Sequence, residues 1–191
     1  MPIKHVNRKR QTYYLHQGKT KTGKPNYFFS MKSEGSLVEE IPEGYEIYEN
    51  PNAQVFLRKI QPQLISDKEK AVIDKYINKL KTNRSYIVDV KGKIITIYES
   101  QQTSDFINSL LHDFHQPKRL DTIEINQKSC YYAPIMRFIL DDEENKVFKV
   151  ERYCFRGSID DWLFLDASND LESLAKKYIK HLGSESFYDL Y

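Results

Sequence analysis

The stretch that decides the fold runs from Tyr131 to Leu165 and reads YYAPIMRFILDDEENKVFKVERYCFRGSIDDWLFL. It holds three runs rich in aromatic and β-branched residues, and two short polar segments, DDEEN and GS, separate them. Such runs between turn-forming residues are typical of neighbouring antiparallel strands. The stretch therefore predicts a three-stranded β-meander.

Outside the meander, three more pairs of strand-forming runs each flank turn residues and predict β-hairpins. These pairs are Thr12–Leu15 with Asn26–Met31 around a long basic loop, Tyr45–Tyr48 with Gln54–Lys59, and Ser85–Val90 with Lys93–Ser100. Between the first two hairpins, the segment SLVEEIPEG at residues 36–44 predicts one helical turn that Pro42 and Gly44 end.

Three segments carry the helical period of apolar residues. They cover about Asp67–Lys81, about Ser104–His115, and a C-terminal stretch that begins at Asn169 and ends at Gly183. Ser66 followed by Glu69 has the spacing of a capping box at the start of the first helix. The pattern predicts an α+β fold of antiparallel hairpins and a meander with about three α-helices.

The chain of 191 residues is long enough for one domain or two small ones. The best candidate boundary is Gln61-Pro62, which lies between the N-terminal hairpins and the first helix. It divides the chain into a small β subdomain at residues 1–60 and an α+β main domain at residues 61–191. One continuous domain is the alternative.

Composition excludes several classes of protein. No run reaches the ~18–20 apolar residues that a membrane helix needs, and the N-terminus lacks the apolar segment of a signal peptide. The two cysteines, Cys130 and Cys154, do not form a disulfide framework. We therefore expect a soluble, cytoplasmic protein that contacts no membrane, and nothing in the sequence implies a cofactor.

The net charge of +2 conceals a segregated distribution of charged side chains. Residues 1–32 contain eight Lys and Arg and no acidic residue, whereas the segment from Glu34 to Glu49 contains six Glu and neither Lys nor Arg. A basic block thus precedes an acidic one. The functional expectations depend on whether the basic side chains remain free in water and face a common direction.

Basic residues interleaved with aromatic residues are typical of surfaces that bind single-stranded or structured nucleic acid. In this chain the residues expected to contact an anionic partner are Arg8, Lys9, Arg10, Tyr14, Lys19, Lys21, Lys24 and Tyr27. The loop Gly18–Pro25 also approximates a phosphate-binding P-loop. Pro25 replaces the required Ser or Thr, however, and a strand rather than a helix follows. Nucleotide hydrolysis is therefore not expected.

Other candidate residues have simpler structural interpretations. His112 and His115 are three residues apart near the end of a predicted helix, but zinc requires more than two protein ligands, so no metal site is predicted. Arg137, Arg152 and Arg156 would bind an anion only if they shared a face, and an outward polar face is the simpler interpretation. The acidic run at residues 141–144 suits a hairpin turn.

No enzyme motif is present, and the sequence favours a non-enzymatic binding protein whose basic N-terminal hairpin contacts an anionic partner, with nucleic acid the first candidate. A protein-interaction module that pairs with an oppositely charged chain or with a second copy of itself is one alternative. An enzyme whose dispersed residues, among them His112, His115, Arg152 and Arg156, converge in a pocket is another.

Overall fold

The computed structural model describes residues 1–82, 84–101, 131–156 and 159–191, except for the side chains of Arg156 and Ile159. It contains both sheets and helices, and every strand pair is antiparallel. The described residues form two compact units, which we call the N-terminal unit, residues 1–61, and the C-terminal unit, from Pro62 onward. The α+β class is therefore confirmed.

The N-terminal unit consists of one three-stranded sheet, in the order β1-β2-β3, and one two-stranded sheet of β4 and β5. Its strands are β1 at Lys4–Val6, β2 at Thr12–Lys19, β3 at Pro25–Ser30, β4 at Tyr45–Glu49 and β5 at Val55–Lys59. Both predicted hairpins of this region are present, as β2–β3 and β4–β5. The β2–β3 loop is shorter than expected because the strands continue to Lys19 and Pro25.

The β1–β2 turn at residues 7–11 and the β4–β5 turn at residues 50–54 share one design. Each begins with Asn and ends with Gln, and in each the Asn Oδ1 accepts a hydrogen bond from the amide of that Gln. The residue before the Gln has a left-handed backbone, with φ of 60° at Arg10 and 63° at Ala53. A type I turn followed by one left-handed residue is a common three-residue hairpin connection.

The helical turn predicted at residues 36–44 is wrong. Leu37 instead forms a β-bridge with His16, and the amide of Val38 donates to the carbonyl of Leu15 at 2.9 Å. The amide of Gln17 donates to the carbonyl of Ser36 at the same distance. Backbone bonds to β2 thus replace the internal bonds that a helical turn would need.

The C-terminal unit contains a five-stranded antiparallel sheet in the order β10-β9-β8-β7-β6. Its strands, β6 to β10 in chain order, are Tyr86–Lys91, Ile94–Ser100, Tyr132–Asp142, Val147–Arg156 and Ile159–Ser168. The last three are the predicted meander, and the first two are the predicted third hairpin. Two α-helices, α1 at Asp67–Ile77 and α2 at Leu171–Tyr178, accompany the sheet.

The described residues therefore contain two α-helices rather than about three. The predicted helix at Ser104–His115 lies outside the described residues. The capping box of Ser66 and Glu69 is present at the start of α1. Helix α2 is capped by Asp170 rather than Asn169, since the Asp170 side chain accepts from the amide of Ser173 at 2.9 Å.

The core of the C-terminal unit lies between one face of the sheet and the two helices. Alternate residues of β8, namely Met136, Phe138 and Leu140, are buried there. Phe164 of β10, by contrast, is 56% exposed because it lies opposite Glu151 on the other face of the sheet. Among the described residues, no helix has the length and apolar character to cross a membrane.

Candidate functional site

The β2–β3 turn presents three lysines from a compact connection. We call Lys19, Lys21 and Lys24, at residues 19–24, the lysine tip; all three are exposed. The amide of Thr20 donates to the carbonyl of Lys24 at 2.8 Å, and the amide of Lys24 donates to Thr20 Oγ1 at 3.1 Å. Gly23 has φ of 80°, which a residue with a side chain adopts at a cost. The turn is therefore closed by its own hydrogen bonds.

No carboxylate in the described part of the chain pairs with a lysine of the tip. Among the ion pairs of the N-terminal unit, Arg8 pairs with Glu49 and Arg58 with Glu46. The acidic block thus neutralises arginines elsewhere in the unit. The charge of the lysine tip faces water, where it is available to an anionic partner.

Arg8 is bound by Glu49, the residue that directly precedes the β4–β5 turn. Its Nε lies 2.7 Å from Glu49 Oε1, and its backbone amide donates to the same oxygen at 3.0 Å. Nε2 of His5 lies 3.1 Å from the other carboxylate oxygen. Partial burial raises the pKa of Glu49, but the hydrogen bonds from Arg8 and His5 outweigh it and leave this pKa below its ordinary value. Arg8 is therefore engaged inside the protein.

The basic block does not form a single patch. Arg8, Lys9 and Arg10 lie in the turn before β2, and the lysine tip begins where β2 ends. A strand of this length spans ~23 Å at ~3.3 Å per residue. The eight-residue strand β2 therefore separates two basic clusters, one at each end.

The two tyrosines expected at the site lie on opposite faces of the β2–β3 hairpin. Tyr14 pairs with Ser30, whereas Tyr27 pairs with Gln17, so their positions differ in strand parity. Both are half-buried, and the ring of Tyr27 lies 6.5 Å from that of Tyr45. Tyr27 packs within the unit rather than extending from it.

Phe28, in β3, is the exposed aromatic residue of the hairpin that carries the lysine tip. Its ring stacks on that of His16, with the centroids 5.4 Å apart and the planes 12° from parallel. His16 is 6% exposed, whereas Phe28 is 46% exposed. Phe28 was not among the residues predicted for the site, because its position opposite His16 depends on the cross-strand register.

His16 is fixed from several sides. Its Nε2 donates to the carbonyl of Lys32 at 3.0 Å, since a carbonyl only accepts. A Cβ on Gly35 would lie 3.7 Å from His16 Nδ1, and one on Gly18 would lie 3.4 Å from Phe28 Cε1. The backbone at both glycines thus lies within van der Waals reach of the stack, which forms a fixed platform.

The C-terminal unit contains a concave surface that could also hold a ligand. The cavity has a volume of about 1460 Å³ and lies between the sheet and the C-terminal residues. Arg152 lines it and is 4% exposed, but its Nε donates to the carbonyl of Leu190 at 2.7 Å and its Nη2 to that of Tyr188 at 3.3 Å. Arg152 therefore secures the C-terminal segment.

The buried carboxylate of the same cavity is also engaged. Glu99 accepts a hydrogen bond from Arg84 at 2.8 Å and from the Tyr86 hydroxyl at 3.0 Å. Burial, and next the charge of Glu99, raises the pKa of that hydroxyl. The arginine and the carboxylate that an active site here would use are thus bound to the protein's own groups.

The remaining candidates do not converge. Arg137 contacts Glu151 at 2.5 Å and stacks on Trp162 at 4.2 Å. Because Arg152 is paired with Met136, the neighbouring Arg137 points to the opposite face, and these two arginines do not share a face. His112, His115 and the side chain of Arg156 lie outside the described residues.

The acidic run at residues 141–144 lies at a hairpin turn, as expected: β8 ends at Asp142 and the turn follows. Asp142 Oδ1 accepts from the amides of Glu144 and Asn145, at 3.0 Å and 2.9 Å. In the parts of the chain that the structure covers, no group of three or more His, Cys, Asp or Glu side chains is placed to hold a metal ion. The lysine tip with Phe28 is therefore the arrangement best suited to a ligand.

Comparison of the chain with protein-family models, with curated protein sequences and with solved structures gave no match.

Proposed function

We propose that this protein binds a polyanion through the lysine tip, and that nucleic acid is the first candidate. One observation supports the proposal. The β2–β3 turn, which its own hydrogen bonds close, carries three exposed lysines that have no carboxylate partner among the described residues. Lysines in this state bind phosphates and release the counterions condensed on them. The closed turn favours binding because little backbone entropy is lost on association.

The number of available cations sets the expected salt dependence. With Arg8 engaged by Glu49, the lysine tip supplies three contacts. For a single strand, three phosphate contacts give a log-log slope of about −2 in affinity against salt. Affinity should therefore fall roughly fifteen- to twentyfold between 50 and 200 mM salt, a range given by that slope.

The test is a fluorescence-anisotropy titration of a labelled twelve-nucleotide single strand at both salt concentrations. The triple variant Lys19→Ala, Lys21→Ala, Lys24→Ala should bind at least tenfold more weakly at 50 mM and lose most of the slope. The matched control is Lys68→Ala, Lys176→Ala, Lys180→Ala, which removes the same charge from exposed positions of the C-terminal unit. The control should retain the wild-type affinity and slope.

Two results would contradict the proposal. One is a wild-type protein that shows no saturable binding at 50 mM salt. The other is a control triple that weakens binding as much as the lysine-tip triple does, since net charge rather than this turn would then determine affinity.

A further inference from the structure

The platform of His16 and Phe28 lies in the same β2–β3 hairpin as the lysine tip, and part of it faces water. His16 covers one face of the Phe28 ring, and 46% of Phe28 remains exposed. The hydrogen bond from His16 Nε2 to the Lys32 carbonyl holds the imidazole ring in place. The exposed part of the Phe28 ring is therefore available to a third ring while His16 stays in place.

The distance from this platform to the lysines suits one short length of nucleic acid. Phe28 is three residues from Pro25, the strand end that follows Lys24, and this corresponds to ~10 Å along the strand. Stacked nucleotides advance ~3.4 Å each, so the same distance covers about three of them. One strand can therefore place a base on Phe28 and its neighbouring phosphates near Lys21 and Lys24.

We propose that Phe28 stacks on an unpaired base, so that the site prefers single-stranded nucleic acid to a duplex or to a polyanion without rings. This inference rests on the proposed function, because the lysine tip supplies the phosphate contacts. Every base has a π face, and such stacking adds affinity with little dependence on sequence. The bases of a duplex are already stacked on each other, and a sulfated polysaccharide has none.

The chain provides a close control for this residue. Phe56, in β5 of the same unit, is 44% exposed against 46% for Phe28. Both positions tolerate truncation because both rings are half in water. Phe56→Ala therefore removes an equivalent exposed ring that lies away from the lysine tip in sequence, on the other sheet.

The experiment measures anisotropy at 50 mM salt with three probes, namely a twelve-nucleotide single strand, a duplex of the same length, and labelled heparin. Phe28→Ala should weaken binding of the single strand at least about fivefold, the lower end of the measured range for one stacked base. It should leave the other two probes within twofold. Phe28→Trp should bind the single strand as tightly as wild type does. Phe56→Ala should leave the affinity for all three probes unchanged.

The outcomes separate this inference from the proposed function. If the lysine-tip triple weakens all three probes and Phe28→Ala changes none, the platform is overturned while polyanion binding stands. Equal weakening of all three probes by Phe28→Ala also overturns it, because the ring would then support the turn rather than contact a base. If the lysine-tip triple has no effect on any probe, both proposals fail.

Discussion

The side-chain amide of Asn7 donates a 2.7 Å hydrogen bond to the carbonyl of Ala53, and this bond joins the β1–β2 turn to the β4–β5 turn. Asn7 is 3% exposed, and it also donates to Gln11 Oε1 at 3.0 Å. Ala53 is the left-handed residue of its own turn. Two turns of the same design, far apart in sequence, are therefore linked through a buried polar side chain.

Asn7→Ala should destabilise the protein by about 1–3 kcal/mol, because it leaves the Ala53 carbonyl and the backbone amide of Gln11 without their hydrogen-bond partners. Asn50→Ala removes the equivalent bonds within the second turn, where Asn50 is only half-buried. It should cost less. Urea unfolding followed by circular dichroism measures both values. Equal losses would contradict the importance of the bond between the turns.

The pH dependence of stability should include a contribution from Glu49. Folding lowers the pKa of this carboxyl, so the unfolded chain holds its proton more tightly. The stabilisation is present above the ordinary carboxyl pKa of about 4.5 and is lost as the pH falls through the lower folded value. Glu49→Gln should thus be less stable than wild type at pH 7 and lose less stability on acidification to pH 3.

The measurement is the free energy of urea unfolding at several pH values between 7 and 3. Glu43→Gln is the control, since Glu43 is exposed and shows no ion pair among the described residues. It should follow the wild-type curve. A Glu49→Gln curve parallel to that of the wild type would show that Arg8 and His5 do not hold this carboxylate in solution.

The C-terminal segment should loosen when Arg152 loses its donors. Arg152→Met keeps an apolar stem but removes the bonds to the carbonyls of Tyr188 and Leu190. Amide hydrogen exchange at Phe187 and Tyr188 should become several-fold faster, because their bonds within the last turn depend on this docking. Arg137→Met, on the opposite face of the sheet, should leave those amides unchanged. Unaltered exchange in Arg152→Met would contradict the assigned role.

Two phenylalanines of neighbouring strands should respond very differently to truncation. Phe138 is fully buried in β8, so Phe138→Ala should cost about 3–5 kcal/mol of unfolding free energy. Phe155, in β9, is 85% exposed, and Phe155→Ala should change stability by less than about 0.5 kcal/mol. Thermal and urea unfolding of both variants provide the comparison. A large loss for Phe155→Ala would mean that its ring is covered in solution.

Local patterns in the sequence predicted most of the elements. Alternation of apolar residues indicated the hairpins, and the Ser66 and Glu69 spacing indicated the start of α1. The predicted turn at residues 36–44 failed because Leu37 finds a β partner in His16, 21 residues earlier, which no local propensity encodes. The strand pattern was right wherever neighbours in sequence are also neighbours in space.

The candidate site was less accessible to sequence reasoning. The pairing of Arg8 with Glu49 spans 41 residues and depends on two turns meeting. The charge pattern showed that both blocks exist, but not which members would pair. The separation of Tyr14 from Tyr27 and the stacking of Phe28 on His16 both depend on the cross-strand register, which only the observed turn fixes.

Strand β10 lies at one end of the five-stranded sheet, and in the described part of the chain its neighbour is β9. A symmetric antiparallel pairing with the β10 of another molecule, centred on Leu163, would set Asp160 against Asp166 twice. Opposed carboxylates repel, and the register shift between Phe164 and Asp166 further interrupts a regular ladder. The aspartates and the register shift of β10 thus make this edge a poor template for that pairing.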